Sequence, residues 1–210
     1  LIVPRSLPDI PQELERVEPG ALQPEARLLE ILLEDEDLRA LNVPLLRIHQ
    51  SVLRNLNLSR SRLSTLQLRD VRLENCDLAN ATWLGANLAR VEFVNCRLTG
   101  LSAAEARCED ILFENCDASY IRLPKAQLKR SHFLNVNASD ADLGEADLSE
   151  SVFTDTSLRS AELTGATLHD TDLRGADIES FTIAPQDLKG ALVSPAQAMD
   201  LARLLGLIIG

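Results

Sequence analysis

Cys76, Cys96 and Cys116 recur at intervals of 20 residues, and His49, His132 and His169 are scattered along the same chain of 210 residues. Thiols and imidazoles bind zinc, and thiols also join as disulfides, so these two chemistries are weighed first. Metal sites favour close local spacing of the CxxC kind with a histidine nearby, and no pair among the four cysteines has it. A disulfide needs two side chains turned toward each other. Whether the three thiols converge therefore depends on the elements that carry them. Other catalytic patterns are missing: there is no glycine-rich phosphate loop, no nucleophile elbow and no HExxH pair. The residues predict no catalytic constellation, no cofactor and no metal.

The thiols sit in a repeated phrase. "VRLENCDL" at 71–78 returns as "VEFVNCRL" at 91–98, "ILFENCDA" at 111–118, "SHFLNVNA" at 131–138 and "SVFTDTSL" at 151–158. A shorter period of five lies inside it. Stepping by five from Leu28 to Val193 gives 34 sites without an insertion, and 29 of them are Leu, Ile, Val or Phe; the exceptions are Trp83, Ala103, Cys108, Ala118 and Ala138. Two residues before each site stands a mostly small residue, such as Cys76, Ala81, Ala86, Ala126 or Ala146, and the other three positions are usually polar. A helix repeats its apolar face every 3.6 residues and a strand every 2, so a strict five fits neither. A chain that points the first and third of every five residues inward, then turns a corner, closes a square coil. Four units make a 20-residue turn, and the turns stack about 4.8 Å apart.

Residues 20 apart then form columns. Leu73, Phe93, Phe113, Phe133, Phe153 and Leu173 make an interior ring stack. Asn55, Asn75, Asn95, Asn115, Asn135 and Asp155 fall at a corner, where such side chains bond to turn backbone or to the next amide of a ladder. Leu56, Cys76, Cys96, Cys116, Val136 and Thr156 occupy a small inward site. Thiols stacked in this way point in parallel, and no histidine shares their column, so they are expected to be buried packing residues. Trp83 is followed one coil later by Ala103, which leaves room for its ring.

The runs "ANLAR", "ADLGE", "ADLSE", "AELTG", "TDLRG" and "ADIES" resemble the pentapeptide-repeat family, whose motif is A(D/N)LXX, over about residues 26–193. The resemblance implies an all-β, right-handed quadrilateral parallel β-helix with a short C-terminal helix and no catalytic residues. It divides the chain into an extended lead at 1–25, the solenoid at 26–193 and a helix with its tail at 194–210. Family members of known activity, the quinolone-resistance and mycobacterial fluoroquinolone-resistance proteins, are dimers that mimic B-form DNA and bind DNA gyrase. This chain lacks the loops that interrupt the coil of the former and is closer in build to the latter. In "SPAQAMDLARLLGLIIG", Ser194 fits an N-cap, Pro195 the first helical position, Gln197 a capping box and Gly206 a stop. Leu201, Leu204, Leu205 and Leu207 would form an apolar face, which either covers the open end of the solenoid or joins two copies as a homodimer. Residues 25–41 would also pass for an amphipathic helix, yet Leu28, Leu33 and Leu38 keep the repeat's phase. An irregular first coil is expected there, with Glu36 at an inward position as the contrary sign.

The formal net charge of −11 disfavours binding to a phosphate backbone. Four cysteines without paired spacing and the lack of an apolar run near 18 residues predict a soluble protein of a reducing, cytoplasmic compartment without a membrane segment. The charge is unevenly distributed. Residues 38–100 hold four acids and nine bases, whereas 137–187 hold twelve acids and two bases. Asp142, Asp147, Glu150, Glu162, Asp170, Asp172 and Asp177 are therefore candidates for an acidic partner-binding face, beside the plainer reading of a solvated surface. Two functions fit: a DNA mimic that modulates a type II topoisomerase such as DNA gyrase, and a scaffold for an unrelated protein partner. An ice-binding surface is disfavoured, because no wall carries a repeated outward Thr column.

Overall fold

The structure, a computed structural model, describes residues 4–204. Parallel pairing joins each residue to the one 20 positions on, as in Leu53↔Leu73, Leu73↔Phe93, Phe93↔Phe113 and Phe133↔Phe153. Isolated bridges carry the same register around the other walls, from Asp37↔Asn57 to Asp172↔Leu192. The result is a parallel β-solenoid of about eight turns.

Each five-residue unit folds for local reasons. Its second residue gives its amide to the preceding coil and its third to the following one, as Asn57 N–H does to the Glu36 carbonyl at 3.0 Å and Leu58 N–H to Asp77 at 2.7 Å. The fourth and fifth residues make the corner, closed by a bond from the next unit back to the third residue, such as Ser61 N–H to the Leu58 carbonyl at 3.1 Å. From Glu25 to Asp170 every fifth residue has φ between 49° and 76°, the conformation required at the third position of a type II turn. An L-residue held there costs about 1–2 kcal/mol, and the ladder and the core must offset it at each corner. Asn and Asp tolerate this region best, which explains the asparagine corner. There Asn75 Nδ2 donates to Asn55 Oδ1 at 3.1 Å and Asn135 to Asn115 at 2.8 Å. Gly175 breaks that column because a Cβ there would lie 2.7 Å from the Phe153 carbonyl oxygen.

Inside, the rings of Phe93, Phe113, Phe133 and Phe153 stack with centroids 5.1, 4.8 and 4.5 Å apart, and Trp83 tilts against Phe93 at 6.2 Å. Trp83 and its coil neighbour Ala103 are both buried. The first coil is neither a helix nor irregular. It forms the strands Arg27–Leu29 and Ile31–Glu34 in full register with the coil above, because its in-phase leucines supply the same inward pair as later units. Glu36 is half-buried near the end of the stack, where water still reaches it.

Both ends are covered. A 3-10 turn at Pro19–Ala21 and the buried Leu22 close the amino end. Helix α1, Pro195–Leu204, closes the other. Its capping box is reciprocal: Gln197 N–H donates to Ser194 Oγ at 3.2 Å, and Ser194 N–H to Gln197 Oε1 at 2.8 Å. Gln197 Nε2 also donates to the carbonyls of Leu173 and Ala176, at 2.7 and 2.8 Å, which the last coil would otherwise leave open.

The lead runs back along the outside as a strap. Glu15–Arg16 extends the sheet beside Ile31 and Leu32, and the segment before it crosses several coils. Arg5 pairs with Glu92, Asp9 N–H donates to Asp70 Oδ1 at 3.1 Å, and Gln50 Nε2 donates to the Asp9 carbonyl at 3.3 Å. Asp70, Glu92 and Asp110 are buried beneath or beside it. Burial pushes all three carboxyls up, but Arg90 and the Asp9 amide at Asp70, Arg5 and Arg72 at Glu92, and Arg130 with Ser6 at Asp110 outweigh it and hold them below the usual range.

Two predictions follow from this packing. Phe133→Ala empties the middle of the ring stack and should cost about 3–5 kcal/mol in urea unfolding; a change below about 1 kcal/mol would contradict a continuous stack. Because the three strap carboxyls have lowered folded-state pKa values, their contribution is complete above the unfolded values and is lost as pH falls through the folded ones. Hydrogen exchange at Asp9, corrected for its intrinsic pH dependence, should show protection at neutral pH that disappears on acidification or in Arg5→Ala. Equal protection in all three conditions would mean that the ion pairs do not hold the strap.

Candidate functional site

The three stacked cysteines do not form a reactive site. Each thiol donates to two backbone carbonyls: Cys76 to Leu53 and Glu74, Cys96 to Leu73 and Val94, Cys116 to Phe93 and Glu114, all at 3.3–3.5 Å. Thr156 makes the same pair of bonds two coils on, at 3.2 and 3.0 Å, and Ser151 and Thr171 reach equivalent carbonyls on the neighbouring wall. The position thus accepts a donor that reaches back into the coil, and equally an apolar residue such as Leu56 or Val136. All four thiols are free and buried. Burial pushes Cys108 up to about 12; within the stack Cys96 is raised by its contacts with Cys116 and Cys76, and those two are lowered by their contact with it. A reactive thiolate needs access as well as a lowered pKa, and burial denies it to all four thiols. Among the described residues no three metal-ligating side chains come together.

The seven candidate acids do not share a face. Asp142 and Glu162 are neighbours on the wall that also holds residues 81–85, and Asp147 lies on the next wall beside Thr167. Glu150 and Asp170 occupy the following corner, Asp172 is buried on the ring-stack wall, and Asp177 pairs with Ser157 on the thiol wall. The physical reason is the corner itself: acids five residues apart in sequence are a quarter-turn apart in space. They form a collar around the carboxyl-terminal coils.

The collar's acids have a second role that the repeat imposes. Asp142, Asp147, Asp172 and Asp177 each accept the backbone N–H two residues on, from Gly144, Ser149, Arg174 and Glu179 at 3.0–3.1 Å, and Glu162 accepts from Thr164 at 2.7 Å. This Asx-type bond gives the D/N of the motif its structural meaning. Asp147 is further paired with Lys129, Asp172 with Arg174 and Asp177 with Arg159. At Asp172 the Arg174 hydrogen bond outweighs burial and lowers its pKa. Among the described residues, Asp140, Asp142, Glu150 and Glu162 have no ion-pair partner.

Of the tail leucines, Leu201 is buried in the end of the core. The Leu204 side chain, Leu205 and Leu207 lie outside the described residues. Sequence reading missed the strap and the carboxyls it covers. The available signal was the proline spacing at Pro4, Pro8, Pro11 and Pro19, which favours an extended strand that packs from outside.

If the collar acids cap turns, Asp142→Asn should not lower the urea midpoint and should raise it slightly, because the amide oxygen accepts the same bond while the repulsion from Glu162 is relieved. Asp142→Ala should lose about 0.5–1.5 kcal/mol. An alanine variant as stable as the asparagine one would remove the structural role.

Two family descriptions match the chain: a pentapeptide repeat region over residues 106–183, and pentapeptide repeats over residues 67–100, together more than half of it. Among curated protein sequences none matches. Solved structures with a similar coil include a trypsin-treated variant of QnrB1, a plasmid-mediated fluoroquinolone resistance protein, at 18% identity over 93% of this chain and 96% of that one, with a TM-score of 0.46. Another is HetL, a pentapeptide repeat protein involved in heterocyst differentiation regulation from the cyanobacterium Nostoc sp. strain PCC 7120, at 23% identity over 80% and 89%, with a TM-score of 0.34. The five-residue unit, its left-handed corner and the A(D/N)LXX runs that the two family descriptions cover make this chain a member of the pentapeptide-repeat family.

Proposed function

We propose that this chain is a non-catalytic protein-interaction solenoid that uses the acidic collar as an electrostatic mimic of DNA, with the DNA-binding groove of a type II topoisomerase, DNA gyrase, as its partner. One observation carries the reading. The turn needs an acceptor at the second position of a unit, or no side-chain bond at all, since Arg62, Thr82, Ser102 and Arg122 occupy that column on the wall of Asp142 and Glu162. It does not need charge. Asp142 and Glu162, and likewise Glu150 and Asp170, nevertheless stack like charges one coil apart, at a cost of a few tenths to about 1 kcal/mol per pair. A surface that accepts such repulsion on a regular rise suits a basic groove, to which it is steered by charge and from which it is released by salt.

A second reading, a scaffold for a partner unrelated to gyrase, is favoured by the distribution of the acids around a collar instead of along one wall. Gyrase supercoiling with the purified protein titrated in, with and without a fluoroquinolone and at two salt concentrations, separates the two. Inhibition or drug protection should weaken with salt and vanish in the folded variant Asp142→Asn/Glu150→Gln/Glu162→Gln/Asp170→Asn. A flat response at micromolar protein would overturn the gyrase assignment and leave the scaffold.

A further inference from the structure

The wall of Asp147 and Thr167 changes character toward the amino end. Its outward column at the second position of each unit runs Arg27, Arg47, Gln67, Asn87, Arg107 and Gln127, in register from coil to coil, until Asp147 ends it. On the thiol wall the same position holds Asn57, Asp77, Asp117 and Asn137, and each accepts the N–H two residues on at 2.9–3.2 Å. No side chain from Arg27 to Gln127 closes its turn in this way. Among the described residues none of the six has a hydrogen bond or an ion pair. Arg27 even lies directly opposite Arg47, an arrangement that costs stability. Six side chains that carry N–H donors thus stand outward over about 24 Å, five steps of about 4.8 Å.

We infer that this wall is the docking surface for an extended, acidic segment of a protein partner. At the second and fourth positions of its six coils it holds five bases, Arg27, Arg47, Arg69, Arg107 and Lys129, against one acid, Glu109, which pairs with Arg130. The corner acids Asp70 and Asp110 are buried and held by Arg90 and Arg130. With both corners counted, from 25–30 to 125–130, bases still outnumber acids by eight to six in a chain of net charge −11. Carboxylates of the segment meet the guanidinium groups of Arg27, Arg47 and Arg107, and its backbone carbonyls meet the amides of Gln67, Asn87 and Gln127. The column is as long as about seven extended residues. Beside it the small Ala89 opens a depression of about 350 Å³, rimmed by Asn87, Arg107, Gln127 and Lys129, with room for one acidic side chain. The lead crosses the ring-stack wall and the corner at Asp70, and it leaves Arg27, Asn87, Arg107 and Gln127 exposed.

The order of the donors favours a peptide over a nucleic acid. Half of the column is amide, which asks for neutral acceptors between the charged ones. A peptide backbone supplies them, whereas a nucleic acid carries a charge at every phosphate and is repelled by the chain as a whole. The inference does not rest on the gyrase assignment, because the column and the acidic collar occupy different coils and the test below contains no gyrase.

Fluorescence anisotropy of a labelled octaglutamate peptide, titrated with the full chain at about 0.1 M salt, tests it; charges beyond about 10 Å are then largely screened. Binding should saturate at submillimolar chain and weaken as salt rises. Arg27→Gln/Arg47→Gln/Arg107→Gln should weaken it roughly tenfold, and it should fold because Gln67 and Gln127 already occupy the column. Arg60→Gln/Arg62→Gln/Arg122→Gln removes as many bases from the next wall and its corner and should change binding by less than about twofold. His49, between Leu29 and Arg69 on the docking wall, gives a local reading. Burial, with Arg69 and Arg47, holds its imidazole below the usual pKa against the pull of Asp70, so bound carboxylates should raise it in an NMR titration. A flat anisotropy titration, equal losses in the two triple variants, or a His49 that the peptide leaves unmoved would each overturn the inference. Tighter binding of an oligothymidylate of the same length would overturn it in favour of a nucleic acid.

Discussion

A left-handed backbone at every fifth residue turns the chain through a corner, and the rest of the solenoid follows from that constraint. Four corners close a coil of 20 residues, so the amides of one coil meet the carbonyls of the next without offset. The corner is intrinsically unfavourable for most of the residues that occupy it. It persists because each coil supplies two inward side chains per unit and a ladder above and below. A single unit could not hold it alone, and stacked repeats of this kind are stable only as neighbours.

The same geometry separates structural demand from surface choice. Inward positions are constrained in volume: small residues at the first position, Leu or Phe at the third, with thiols and hydroxyls interchangeable where a carbonyl can accept them. The second position asks for an acceptor and tolerates Arg, so its charge is free to vary along the axis. Ion pairs between successive coils, such as Arg97 with Asp77, use this freedom in the amino half, and Arg54 with Glu74 at 2.8 Å does the same from the fourth position. Being largely exposed, each contributes little to stability. In the carboxyl half the same freedom also leaves acids without an ion-pair partner among the described residues, Asp142 and Glu162, beside the paired Asp147, Asp172 and Asp177. That contrast gives the solenoid a polar axis.

The strap adds a layer that the repeat does not require. Asp70, Glu92 and Asp110 occupy positions that are at least partly solvated in most other coils, yet here they are buried with arginines and the lead laid against them. Removing one partner from such a buried set is costly because the other charge is left unpaired. The strap therefore follows the charge pattern of the coils it crosses.

The five-residue period, the inward columns, the ring stack, the asparagine corner and the capping box at Ser194 and Gln197 were all legible in the sequence, because each depends on spacing along a chain that never shifts phase. Even the non-reactive role of Cys76, Cys96 and Cys116 follows from parallel stacking. The regular first coil was readable from Leu28 and Leu33 but obscured by a helix-like run of Glu and Leu. Which outward residues share a surface was decided only in three dimensions. Asp142 and Asp147 are neighbours in sequence and lie on different walls, whereas Arg62 and Asp142 are 80 residues apart and share a column. Spacing along the chain sets what points inward, because burial repeats with the unit. What an exposed side chain meets depends on the corner between it and its neighbours, and on a proline-rich lead whose course no periodicity encodes.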